Sequence, residues 1–207
     1  VSRIGGLHTT FHVLAIGKNE GYDRVWICRS KDGNSKITET AVDTWSDWAI
    51  EPFAFDGGTQ SASVRFKLME LAGDGSGLKL YRTQVTFTNG FSLPDELADE
   101  LIERFGPYQE HASMTPYTSG MADFDTALEE CEYQGLWFAD VANYMLNEKG
   151  CSFFICHWHL FDYLNHIHLQ DVDPQCPAYD GSNADVAMDY FRRSYVVGDR
   201  VLGRIWE

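Results

Sequence analysis

Near residue 92 the spacing of apolar residues changes from two to three and four. A chain whose hydrophobic period switches in this way is built from two pieces of different architecture. Before the switch, Phe11–Ile16, Arg24–Arg29, Lys36–Val42, Val64–Leu71 and Leu78–Thr88 are short runs rich in β-branched and aromatic residues. Lys31-Asp32-Gly33-Asn34 and Gly73-Asp74-Gly75-Ser76-Gly77 separate them with hairpin turn chemistry. Residues 1–92 are therefore expected to form an antiparallel sheet or small sandwich. Trp45 and Trp48 in this half are read as core or edge packing rather than as a binding platform.

Residues 93–207 follow helical spacing. Ser92, Pro94 and Asp95 give a cap, a first-turn proline and an N-terminal acid ahead of Leu97, Leu101 and Phe105, with a stop at Gly106-Pro107. Residues 111–120 read as a loop. Leu128, Cys131, Gly135, Phe138, Ala142 and Met145 recur at steps of three and four, which predicts a long helix over Phe124–Asn147. Ser152–Cys156 (SFFIC) is an almost unbroken apolar run, the mark of a strand covered on both faces. Residues 183–206 return to helical spacing. Helix, buried strand, loop and helix make a slice of an α/β sheet, so the expected class is α/β in this half and α+β overall.

Charge divides the chain at nearly the same place. Residues 1–94 hold ten acids and ten bases, residues 95–189 hold nineteen acids against Arg104 and Lys149, and the last eighteen residues carry four bases and two acids. The net charge of -15 argues against nucleic-acid backbone or an anionic membrane as partner, since both need a positive footprint. Most of the acids are read as solvated helix faces. No apolar run is long enough for a membrane span, and the first residues lack a secretion pattern. The five cysteines, with no C-x-x-C, read as reduced buried thiols, which favours a cytoplasmic location unless an export signal lies outside this sequence.

Four of the seven histidines fall in HWHLFDYLNHIHL, just past the expected strand, where ligands of open α/β sheets bind. Three readings are open. Asp162 and His166, four apart, would face the same way on a helical turn and hold one divalent metal. His157-Trp158-His159 would be a strand-end His-x-His pair of the amidohydrolase kind, although that site normally needs a barrel of ~250 residues. The histidines would otherwise be ordinary hydrogen-bonded polar residues.

The segment CHWHLFDYLNHIHLQDVDPQCPAYD resembles the metal-binding segment of bacterial type I phosphodiesterase/nucleotide pyrophosphatase-like proteins of the alkaline phosphatase superfamily. FKLMELAGDGSGLKLYRTQVTFTNGF and LPDELADELIERFGP resemble an insertion found in these proteins. The resemblance implies a slice of an alkaline-phosphatase-like α/β sheet with an antiparallel β-rich insertion. It also implies that Asp162 and His166 ligate one of two catalytic metals, zinc or alternatively manganese, with His157 and His159 supporting that site or facing a small phosphate-ester substrate. Better-known members place glycine before the histidine, where this chain has Asn165. The family's Thr or Ser nucleophile, further aspartates and final histidine have no counterpart here. The resemblance therefore implies an internal portion of a longer hydrolase, completed by the rest of the parent chain and turning over little by itself. The opposing expectation is a binding or interaction module built on the β-rich unit.

Overall fold

The computed structural model describes residues 8–18, 21–55 and 57–206 and shows an α+β protein in two compact units, residues 1–108 and 109–207. The described residues of the first unit form three small antiparallel sheets. β1 (His12–Lys18), β2 (Gly21–Cys28) and β3 (Lys36–Ala41) form one, β4 (Ala49–Phe55), β5 (Gly58–Val64) and β8 (Thr86–Phe87) the second, and β6 (Phe66–Leu71) and β7 (Leu78–Arg82) the third. Alternation puts Val25, Ile27, Phe53, Val64, Phe66 and Leu68 into a common core, and the Phe11 ring meets Phe53 and Phe66 edge-on.

The expected strand over Val64–Leu71 is two strands. At Arg65 the chain leaves β5 and enters β6, and the guanidinium donates to the Ser46 carbonyl at 2.8 Å and lies over the rings of Trp45 and Trp48. The tryptophan pair is half-buried packing around that arginine. Helix α1 (Glu96–Phe105) buries Ala98 and Leu101 and belongs to the first unit, so the compact division falls after the helix rather than at residue 92.

The described part of the second unit is helical. A single turn, α2 (Thr115–Thr118), lies within the segment expected to be loop, and α3 (Phe124–Asn147), α4 (Leu160–Val172) and α5 (Ala184–Trp206) follow. The Asp123 carboxylate accepts from the Thr126 amide at 2.8 Å and caps α3. Met114, Phe124, Leu128, Leu160, Leu164 and Val197 form the core, with the Tyr190 ring stacked on Phe124 at 3.8 Å. The late run of bases has a local explanation. Arg193, Arg200 and Arg204 on α5 reach Asp125, Glu132 and Asp140 on α3, placing cations seven and four residues apart against a row of carboxylates.

Ser152–Cys156 corrects an expectation. It is not a strand among the described residues, and instead of being covered, Phe153 and Ile155 are 76 % and 79 % exposed. The described part of the second unit contains no strand for it to pair with. The thiols differ from expectation too: all five are free, but only Cys28 and Cys131 are buried.

Candidate functional site

The approach to α4 is set by Trp158. Its indole Nε1 donates to the Cys131 carbonyl at 3.0 Å, and its ring lies against Gly135 on α3. With Trp158 turned inward, His157 and His159 fall to the other side of the chain, with ring centroids 3.7 Å apart. His159 then stacks on Tyr163 one turn into the helix, with centroids 5.2 Å apart and planes at 27°, and His111 meets Tyr163 edge-on. Burial, reinforced by Cys131 and Asp162, raises the Tyr163 hydroxyl above its ordinary pKa.

Leu160 and Leu164 are buried in the core of the unit and fix the rotation of α4. That rotation turns Asp162 and His166 outward. His166 Nε2 lies 3.4 Å from Asp162 Oδ1, with the side chains 77 % and 56 % exposed. Exposed on both sides, the contact contributes at most about 1 kcal/mol to stability. Its dimension fits a metal. Two bonds of about 2.1 Å at a tetrahedral angle hold their ligand atoms about 3.4 Å apart, so one zinc ion could accept both groups with little movement. Manganese would prefer the carboxylate oxygen and tolerate the imidazole. The fit covers two ligand positions, and among the described residues no group of three or more His, Cys, Asp or Glu side chains is disposed to hold an ion.

A more protected cluster lies further along α4. His168 Nδ1 is 2.8 Å from Asp171 Oδ2, and its Nε2 is 3.3 Å from the Tyr117 hydroxyl on α2. The two ring nitrogens thus face a carboxylate on one side and a phenol hydroxyl on the other. The Tyr117 hydroxyl is pushed up to about 12, by burial first and then by Tyr190 and Asp171. Asp171 thus serves the histidine. Asp173 and Asp180 cap turns, accepting from the Gln175 and Ser182 amides.

The spacing of Asp162 and His166 was sufficient to find that pair. Tyr117 and His168 are 51 positions apart, and no local period connects them. His111 and Tyr163 were equally invisible to spacing arguments. Comparison of the chain with protein-family models, with curated proteins and with solved structures finds no match.

Proposed function

We propose that this chain contributes one pair of metal ligands, Asp162 and His166, to a metal-dependent phosphoric ester hydrolase of the phosphodiesterase or nucleotide pyrophosphatase type. The observation that carries the reading is the 3.4 Å separation of His166 Nε2 and Asp162 Oδ1 on an exposed helix face, matching the bite of a single tetrahedral ion. The resemblance of residues 156–180 to the metal segment of that family supplies the reaction class.

Asp162 supplies negative charge and an oxygen ligand, and His166 a neutral nitrogen. Bound metal would polarise the phosphoryl oxygens of a small phosphate ester. His157 and His159, held together by the inward turn of Trp158, would support the ligand pair or face the substrate. The remaining ligands and the nucleophile would come from polypeptide outside the described residues. Bare Phe153 and Ile155 support this, because exposed apolar side chains beside the ligand helix are suited to being covered by further polypeptide.

The test is hydrolysis of bis-p-nitrophenyl phosphate with added zinc or manganese. The chain alone should turn over near background. Reconstitution with the flanking parts of its reading frame should give turnover that Asp162→Ala and His166→Ala each reduce by at least about a hundredfold. Turnover insensitive to both substitutions would remove the pair from the chemistry. Robust turnover by the chain alone, lost in Asp162→Ala, would show that the other ligands lie within it.

A further inference from the structure

Two glycines in helix interiors stand against the residues that lead into the ligand pair. Glycine there destabilises a helix relative to alanine, so an interior glycine calls for a reason in packing. Neither Gly135 on α3 nor Gly198 on α5 has a positive φ, so what each supplies is the absence of a side chain. A Cβ on Gly135 would lie 2.8 Å from the Trp158 ring and from Val201 Cγ2. The indole is held in place by its hydrogen bond to the Cys131 carbonyl. A Cβ on Gly198 would overlap the ring of Phe161. That ring is enclosed by Trp158 at 5.9 Å and Tyr195 at 4.8 Å, while the Phe161 carbonyl accepts from Asn165 Nδ2 at 2.6 Å. Gly203, also on α5, has nothing within 4 Å of its would-be Cβ, so close approach is particular to the other two.

We infer that Gly135 and Gly198 are positioning residues for the Asp162–His166 pair, two notches on separate helices that receive Trp158 and Phe161 and thereby set the rotation of α4. The functional meaning rests on the metal reading above. Phe161 immediately precedes Asp162, and successive helical residues are separated by about 100° of rotation. Displacing the Phe161 ring from its notch turns or tilts the first turn of α4, and the carboxylate moves with it. A second turn away, His166 moves by a different amount. The distance between the two ligand atoms changes as a result, and metal affinity depends steeply on that distance.

The experiment compares Gly198→Ala, Gly135→Ala and Gly203→Ala in the full chain, titrated with Mn2+ and followed by electron paramagnetic resonance, with a cooperative thermal melt showing that each variant is folded. Gly198→Ala and Gly135→Ala should weaken Mn2+ binding about tenfold, the loss typical when support of a metal ligand is disturbed. Gly203→Ala should leave it unchanged. Adding Phe161→Leu to Gly198→Ala, with Phe161→Leu alone as the baseline, should restore affinity because the smaller side chain relieves the overlap. A role confined to stability would alter melting without this pattern of loss and recovery.

Unchanged affinity in Gly198→Ala, or a loss that Phe161→Leu does not restore, overturns the positioning role. If the unsubstituted chain binds no Mn2+, the metal reading falls separately. The positioning role is then decided by the nuclear Overhauser contact between the Asp162 methylene and the His166 ring. Loss of that contact in Gly198→Ala and its return in the double variant uphold the inference, and persistence in Gly198→Ala overturns it.

Discussion

The two units differ in where their apolar residues end up. In the β-rich unit the period-two residues converge, so Val25, Ile27, Val64 and Leu68 are fully enclosed, and apart from Leu93 its exposed apolar side chains, such as Ile50 and Leu78, are less than half exposed. In the helical unit the inner stripe is equally well packed, but Phe153, Ile155, Leu202 and Trp206 remain exposed. The same unit carries the imidazole, carboxylate and phenol clusters. The contrast teaches that a local hydrophobic pattern does not by itself report burial; what packs on it decides.

The largest effects should come from the two cores. Ile27→Ala and Leu164→Ala each remove a fully buried side chain and should cost about 2–5 kcal/mol. Hydrogen exchange should show the protection lost from β2 and its neighbours in the first case and from α3–α5 in the second. Phe153→Ser and Ile155→Ser break the comparison from the other side. At their observed exposure both should change stability by less than about 0.5 kcal/mol in chemical denaturation. A loss of several kcal/mol would restore the buried-strand expectation.

How far the sequence carried depended on the range of the interactions involved. The extent of α3 was legible because its apolar stripe at steps of three and four is a local pattern. β1, β2, β3, β6 and β7 were legible from alternation and turn residues, whereas β4 and nearly all of β5 fall in 49–63, where no run was read as a strand, and the single run expected over Leu78–Thr88 is divided between β7 and β8. The break at Arg65 was not legible, since it depends on Ser46 and two tryptophans almost twenty positions earlier. The α2 turn is too short to show a period. In the site, Asp162 and His166 were readable as one helical face, whereas the Tyr117–His168–Asp171 chain and the Gly135 and Gly198 notches arise only from packing between helices.

Smaller effects sharpen the account of the helical unit. Removing the α3 cap with Asp123→Ala should cost about 0.5–2 kcal/mol in thermal or urea unfolding. Arg200→Ala removes an exposed bridge to Glu132 at 2.6 Å and should cost at most about 1 kcal/mol, less in high salt. The Tyr117 hydroxyl ionises near 10 when unfolded and at about 12 when folded. Its contribution is therefore complete below pH 10 and is lost as pH rises toward 12. Tyr117→Phe should flatten that part of the stability profile, and an unchanged alkaline profile would count against the buried hydroxyl's role.

The central claim is that Asp162 and His166 meet on one ion. Zinc titration followed by nitrogen-15 resonances of the histidine side chains tests it most directly. His166 Nε2 should shift toward the metal-bound range with a single saturating event, and Asp162→Ala should weaken the event strongly while leaving the fold intact. Saturation at His157 and His159 with His166 unmoved, or binding at His166 indifferent to Asp162→Ala, would contradict it.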